Sequence, residues 1–199
     1  DDSLLEEVSA LLDADGDTVV TFTGRVALGM SVDKVKAFLK DLQKKGAKIV
    51  LDSKSFSLED IFEVQPWLIK PNQEEISEYL GCQINSIAQA IEKTKIFADH
   101  GVSNVMVSLG EQGALLLHSG KCYIATPPAI KAISTIGAGD SSLAGFIAAA
   151  QKDEDAAGCL KTAVTYGTAA CLTPGTLPPQ REDLERIYQQ VHVKEVATH

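Results

Sequence analysis

The stretch SVDKVKAFLKDLQKKGAKIVL, residues 31–51, carries two hydrophobic periods in succession. Val32, Val35, Phe38, Leu39 and Leu42 recur at spacings of three and four, which places them on one face of a helix that Ser31 can cap. Gly46 stops that helix, and AKIVL at 47–51 follows at once as a run of apolar residues suited to a strand buried on both faces. The alternation extends in both directions. Upstream lie a helical pattern at 4–12 and the strand-like TVVTF at 18–22, broken by Gly24. Downstream come a short helix at 57–64, a strand at 67–69, helices at 73–80 and 85–100, and the strand NVMVSL at 104–109. Short apolar strands separated by amphipathic helices predict an α/β fold: a mostly parallel sheet with helices on both faces, in three layers.

After Gly110 the rhythm changes. Two apolar runs at 114–117 and 122–125, joined by residues 118–121, predict a β-hairpin. Helices are expected near 141–151 and 156–172, the latter ended by Pro174, Pro178 and Pro179, with a last exposed helix at 182–190. No repeat, low-complexity tract or linker divides the chain, so residues 1–199 are expected to form a single domain.

Composition excludes several functions. A formal net charge of −9, with no Lys/Arg cluster, argues against a nucleic-acid partner. The four cysteines form no C-x-x-C pair and the four histidines no H-E-x-x-H, so reduced, buried thiols are expected and no histidine is assigned chemistry. Neither a signal peptide nor an apolar run of membrane-spanning length is present, and the expected location is the cytoplasm, with no membrane partner.

The segment STIGAGDSSLAGF, residues 134–146, holds the strongest local signal. Gly137 and Gly139 permit backbone conformations that aim successive N–H groups into one concavity, and the helix beginning there adds positive partial charge, so a phosphate can sit on it. Asp140 beside that site would repel the phosphate unless it has a task, such as accepting the proton of an attacking hydroxyl; otherwise it simply caps the helix. In LIKPNQEE, residues 68–75, Asn72 and Glu75 stand three apart and can jointly hold a hydrated Mg²⁺, or merely begin a helix. In VSLGEQGALL, residues 107–116, Ser108, Gly110 and Gly113 offer a hydroxyl and unobstructed backbone at a strand end, or form a plain β-turn. No dinucleotide fingerprint follows an early strand, which disfavours a nicotinamide-dependent oxidoreductase, and no Walker spacing surrounds Gly120-Lys121.

Residues 134–146 resemble the C-terminal signature of the ribokinase/PfkB family of carbohydrate kinases, and residues 68–75 resemble its K-P-N-x-x-E element. The resemblance implies a ribokinase-like fold and a cytoplasmic kinase using ATP and Mg²⁺. It implies that Gly137, Ala138 and Gly139 form the anion hole for the transferred phosphoryl group and that Asp140 is the catalytic base. It further implies that Thr135, Ser108, Leu109, Gly110, Glu111, Gln112 and Gly113 contact the nucleotide, and that Asn72 and Glu75 hold the metal through water. The wording is closest to the 1-phosphofructokinase and tagatose-6-phosphate kinase branch, which implies a ketohexose monophosphate as substrate and a homodimeric parent protein.

Two departures from the family pattern stand out. Family members run to roughly 300 residues, so the resemblance covers the later two-thirds of the family, without the first strands and the lid over the sugar. A catalytically silent nucleotide-binding fragment is therefore the alternative. At residues 23–29, Arg25 replaces the Ser of a loop near the sugar phosphate; it either contacts a substrate phosphate or is plain loop charge.

Overall fold

Strand residues of alternating parity feed two separate cores. Ile49, Leu51, Val105, Val107, Leu115 and Leu117 face one layer, while Val50, Leu68, Met106 and Leu116 face the other, as the two-residue period of a strand requires. A computed structural model describes residues 3–12 and 14–197. Among the described residues one sheet of seven strands runs in chain order: β1 (Val19–Thr23), β2 (Lys48–Asp52), β3 (Leu68–Ile69), β4 (Asn104–Ser108), β5 (Ala114–His118), β6 (Lys121–Thr126) and β7 (His192–Val196). The first four pair in parallel and the last three add antiparallel neighbours, so five of the seven share one direction.

The first layer holds α1 (Ser3–Leu11), α2 (Val32–Lys44), α3 (Leu58–Val64), α4 (Gln73–Leu80) and α5 (Ile87–Asp99). The second holds α6 (Ala138–Ala150), α7 (Ala156–Ala170) and α8 (Arg181–Tyr188). Val35, Leu39 and Leu42 of α2 are fully or almost fully buried, as their spacing predicts, and cutting back either leucine to Ala would cost about 2–5 kcal/mol. Ser31 occupies the N-cap of α2 but its side chain accepts no capping bond, unlike the expectation from sequence. The predicted hairpin is β5–β6, turning at Ser119 and Gly120, both at positive φ.

β7 was not anticipated. HVKEV reads as a polar tail, and only pairing with β6 makes it a strand. Of the four cysteines, Cys122 and Cys159 are buried, while Cys82 and Cys171 are only partly so, which narrows the expectation of buried thiols. Burial pushes the Cys122 and Cys159 thiols up to about 11. Among the described residues no helix is long and apolar enough to cross a membrane.

Helices α6 and α7 meet through glycines. A Cβ at Gly145 would lie 3.0 Å from the Thr162 carbonyl oxygen and from Tyr166, and one at Gly167 would lie 3.1 Å from Ser142 Cβ and 3.2 Å from the Ala138 carbonyl oxygen. The start of α6 therefore rests directly on the body of α7.

Candidate active site

The C-terminal ends of β2, β3 and β4 deliver Asp52, Lys70 and Ser108 to one end of the sheet, where open α/β sheets place their ligands. Pro71 follows β3 and has no N–H for the ladder, but its carbonyl accepts from Ser108 N–H at 3.0 Å, and Asn72 forms a parallel bridge with Ser108. Two segments 36 residues apart in sequence are thereby locked together. Asn72 then caps α4: its Oδ1 accepts from Glu75 N–H at 2.8 Å, and Glu75 Oε2 accepts from Asn72 N–H at 3.0 Å. Glu75 Oε1 lies 3.4 Å from Lys54 Nζ.

Beyond β4, residues Gly110–Gln112 make one turn of 3-10 helix, and Leu109 N–H donates to the Gly113 carbonyl at 2.8 Å. Gly113 has φ +94°, and a Cβ there would overlap the Ala125 carbonyl oxygen, so no larger residue lets the hairpin close against this turn. On the opposite side, Gly137 is the N-cap of α6 with φ +79° and no side-chain cap. Of the two signature glycines, Gly137 uses a left-handed backbone, while Gly139 lies inside the helix. Asp140 is the third residue of α6 and not its cap, so the helix-cap alternative does not apply. Its carboxylate is exposed and makes no hydrogen bond or ion pair with another described residue.

These elements surround one cavity of about 680 Å³, within the range of small-molecule sites. Asn72, Glu75, Ser108, Gly110, Glu111, Gly113, Thr135, Ala138 and Gly139 line it. Leu109 is buried behind the turn, Gln112 and Gly137 stand outside the lining, and Asp140 sits next to the lining residue Gly139. Arg25 follows β1 at the same end of the sheet, but it is exposed and does not line the cavity.

Three parts of this cavity were not foreseen from sequence. Its apolar wall comes from Pro127, Pro128, Ala129 and Ile130 after β6 and from Val164, Gly167, Thr168 and Cys171 of α7 and its C-terminal end. No local motif marks these residues. The other two parts are Asp52 and Lys70, which form an ion pair at 3.0 Å with both side chains largely shielded from solvent. Burial pushes the Asp52 carboxyl up from its ordinary value, Lys70 pulls it back, and the negative charges of Glu75 and Asp140 push it up again. Burial together with Glu75 and Asp52 likewise pushes the neighbouring Tyr79 phenol up to about 12. The corner is thus rich in oxygen and excess negative charge, which suits a hard, hydrated cation more than direct coordination by a protein cage. Among the described residues no three His, Cys, Asp or Glu side chains converge as a ligand set.

Comparison with known proteins bears on family and fold. The pfkB family carbohydrate kinase pattern matches residues 5–183. The chain is 28% identical over 170 residues to the 1-phosphofructokinase of Vibrio cholerae, covering 85% of this chain and 54% of that protein. It is 30% identical over 171 residues to the 1-phosphofructokinase of Bacillus subtilis, covering 86% and 55%. The chain spans about half the length of the curated relatives it matches. The structure superposes on phosphofructokinase-2 from Escherichia coli in complex with substrates and products with a TM-score of 0.84 at 27% identity, covering 94% of this chain and 61% of that one. Ribokinase from Thermotoga maritima shares the fold, with a TM-score of 0.69 at 18% identity over 87% and 57%. The chain belongs to the pfkB family of carbohydrate kinases.

Proposed function

We propose, from that family membership, that the protein carrying this chain transfers the γ-phosphoryl group of ATP to the free primary hydroxyl of a ketohexose monophosphate, with fructose 1-phosphate as the substrate and fructose 1,6-bisphosphate and ADP as products. One observation carries the reading: an uncapped helix start bearing an unpaired carboxylate faces the same cavity as Asn72, Glu75 and the 108–113 turn.

In this scheme the apolar wall takes the base of ATP, and the polyphosphate runs along Ser108, Gly110, Gly113 and Thr135 toward the start of α6. The N–H groups of residues 137–139 receive the negative charge that develops on the transferred group. Asp140 accepts the proton of the sugar hydroxyl as its oxygen bonds to the γ-phosphorus and the bond from that phosphorus to the β,γ-bridging oxygen breaks. Glu75 and Asn72 keep lone pairs beyond those used in their mutual cap, so they would hold Mg²⁺ through its water shell. The ion would supply charge neutralisation of the ATP phosphates. Arg25, at the same end of the sheet but outside the cavity lining, either contacts the sugar phosphate or is plain loop charge.

A coupled ADP-release assay on the full-length protein with fructose 1-phosphate, tagatose 6-phosphate and fructose 6-phosphate tests the assignment. Turnover is expected to be highest with fructose 1-phosphate. A clear preference for tagatose 6-phosphate would move the substrate to the other member of the branch. Calorimetric binding of ATP with Mg²⁺ but no turnover on any of the three would make the chain part of a silent nucleotide-binding module.

A further inference from the structure

A serine or threonine inside a helix either points its hydroxyl to solvent or bonds it to the carbonyl four residues back. Ser77, Thr94 and Thr165 take the second course, donating to the carbonyls of Gln73, Ala90 and Lys161. Ser142 of α6 and Thr168 of α7 take neither. Both are partly buried, both line the cavity, and neither hydroxyl makes a hydrogen bond with another described residue. A sheltered hydroxyl without a partner costs free energy, so two of them on one wall point to a ligand that supplies the partner.

The two hydroxyls stand together. A Cβ at Gly167, the residue before Thr168, would lie 3.1 Å from Ser142 Cβ and 3.6 Å from Ser142 Oγ. The polar spot they make is isolated on its wall. The Cys171 thiol already donates to the Gly167 carbonyl at 3.4 Å, and the Cys171 carbonyl accepts from Ile133 and Ser134 N–H at 2.8 and 3.3 Å. Pro127, Pro128, Ala129, Ile130 and Val164 complete the surface with no polar side-chain atom. A neutral hydroxyl both donates and accepts, so it suits the edge of a heterocycle with ring nitrogens and exocyclic groups more than it suits a phosphate, while the apolar surface suits the ring face. We propose that Ser142 and Thr168 together bind the base of the nucleotide, as the side chains that fix its position against the apolar wall. This inference deepens the kinase reading above and rests on it only for the presence of a nucleotide in the cavity.

The test uses the full-length protein, with calorimetry on ADP, 2′-deoxy-ADP and inorganic pyrophosphate, steady-state kinetics on ATP, and thermal melting. Thr168→Val keeps the shape of the side chain and removes the hydroxyl, and Ser142→Ala removes the one on α6. Each is expected to weaken ADP binding about fivefold and the double variant about 20-fold, the size of one and two lost neutral hydrogen bonds. Kd for pyrophosphate should stay within about twofold, and the kinetic loss should fall on KM for ATP and not on kcat. Thr168→Ser should restore ADP affinity. Melting temperatures should hold or rise, because neither hydroxyl is bonded within the protein; a role confined to the fold would lower them and leave Kd alone. If Thr168→Val does not fold, Ser142→Ala carries the same test.

A Kd for ADP within about twofold of wild type in the double variant overturns the proposal. An equal loss for pyrophosphate also overturns it, by placing the hydroxyls at the phosphates, and a loss that disappears with 2′-deoxy-ADP does so by placing them at the ribose. A wild type that binds ADP without turnover removes the kinase reading and leaves this proposal standing. A wild type that binds no nucleotide removes both, whereas an active wild type beside an unaffected double variant removes the proposal alone.

Discussion

Helices α4 and α6 start on facing sides of one cavity, and both carry an acidic residue three positions after the N-cap, yet the two acids are employed differently. At α4, Glu75 reaches back to Asn72 N–H and Asn72 returns the bond, so the helix start satisfies itself. At α6 the cap is Gly137, which has no side chain to offer, and Asp140 reaches back to nothing. A third start, at α3, repeats the closed arrangement with Ser57 and Asp60, neither of which lines the cavity. The closed starts are complete without a ligand. At the open one Ala138 N–H donates to the Thr135 carbonyl at 3.3 Å, while the neighbouring N–H groups of Gly137 and Gly139 and the Asp140 carboxylate stay uncommitted among the described residues, which is what an incoming phosphate and a reacting hydroxyl require.

The largest test of this contrast removes the idle acid. Asp140→Asn keeps shape and loses the proton acceptor; turnover should fall by about 10²–10⁴-fold with ATP affinity nearly unchanged, read by the coupled assay beside calorimetry. Undiminished turnover would show that Asp140 is not the base. The next closes the open start. Gly137→Ser adds a hydroxyl able to occupy the donors and forces a side chain into a left-handed backbone, at a cost of about 1–2 kcal/mol. Melting should drop accordingly and turnover by about 10²-fold. Opening the closed start is milder: Asn72→Ala removes the cap for about 0.5–2 kcal/mol, and turnover should fall about tenfold if Asn72 also orders the hydrated metal.

The smallest effect belongs to the start of α3, outside the cavity lining. Ser57→Ala should cost about 1 kcal/mol in stability and leave turnover alone. It should also alter the acid limb of a melting profile. Burial raises the Asp60 carboxyl, but hydrogen bonds from Lys36 and Ser57 outweigh it and hold the group below its ordinary value. A depressed folded value means that stability is present above the unfolded value of about 3.9 and is lost as pH falls through the folded one. Melting temperature should therefore decline below about pH 4, and less steeply in Ser57→Ala.

Much of this contrast was legible in the chain itself, because glycine, asparagine and acidic residues at fixed offsets from an apolar run specify helix starts locally. The parallel strands were legible for a similar reason: continuous apolar runs such as AKIVL and NVMVSL have no other way to be buried. What escaped depends on distant partners. HVKEV becomes β7 only beside β6, and Lys70 becomes a buried cation only because Asp52, 18 residues earlier, lies at the end of the adjacent strand. The apolar wall at 127–130 and along α7 joins two segments that share no pattern in sequence.

The glycine contact between α6 and α7 has a consequence for the speed of the proposed chemistry. With the Ala138 carbonyl seated on Gly167 and Ser142 against the same notch, the donors at the start of α6 are held by a closely packed helix pair. Their dipoles point where they will be needed before any ligand arrives, so little reorganisation energy remains to be supplied during the reaction. Any closure that excludes water during turnover must then come from elements other than this pair.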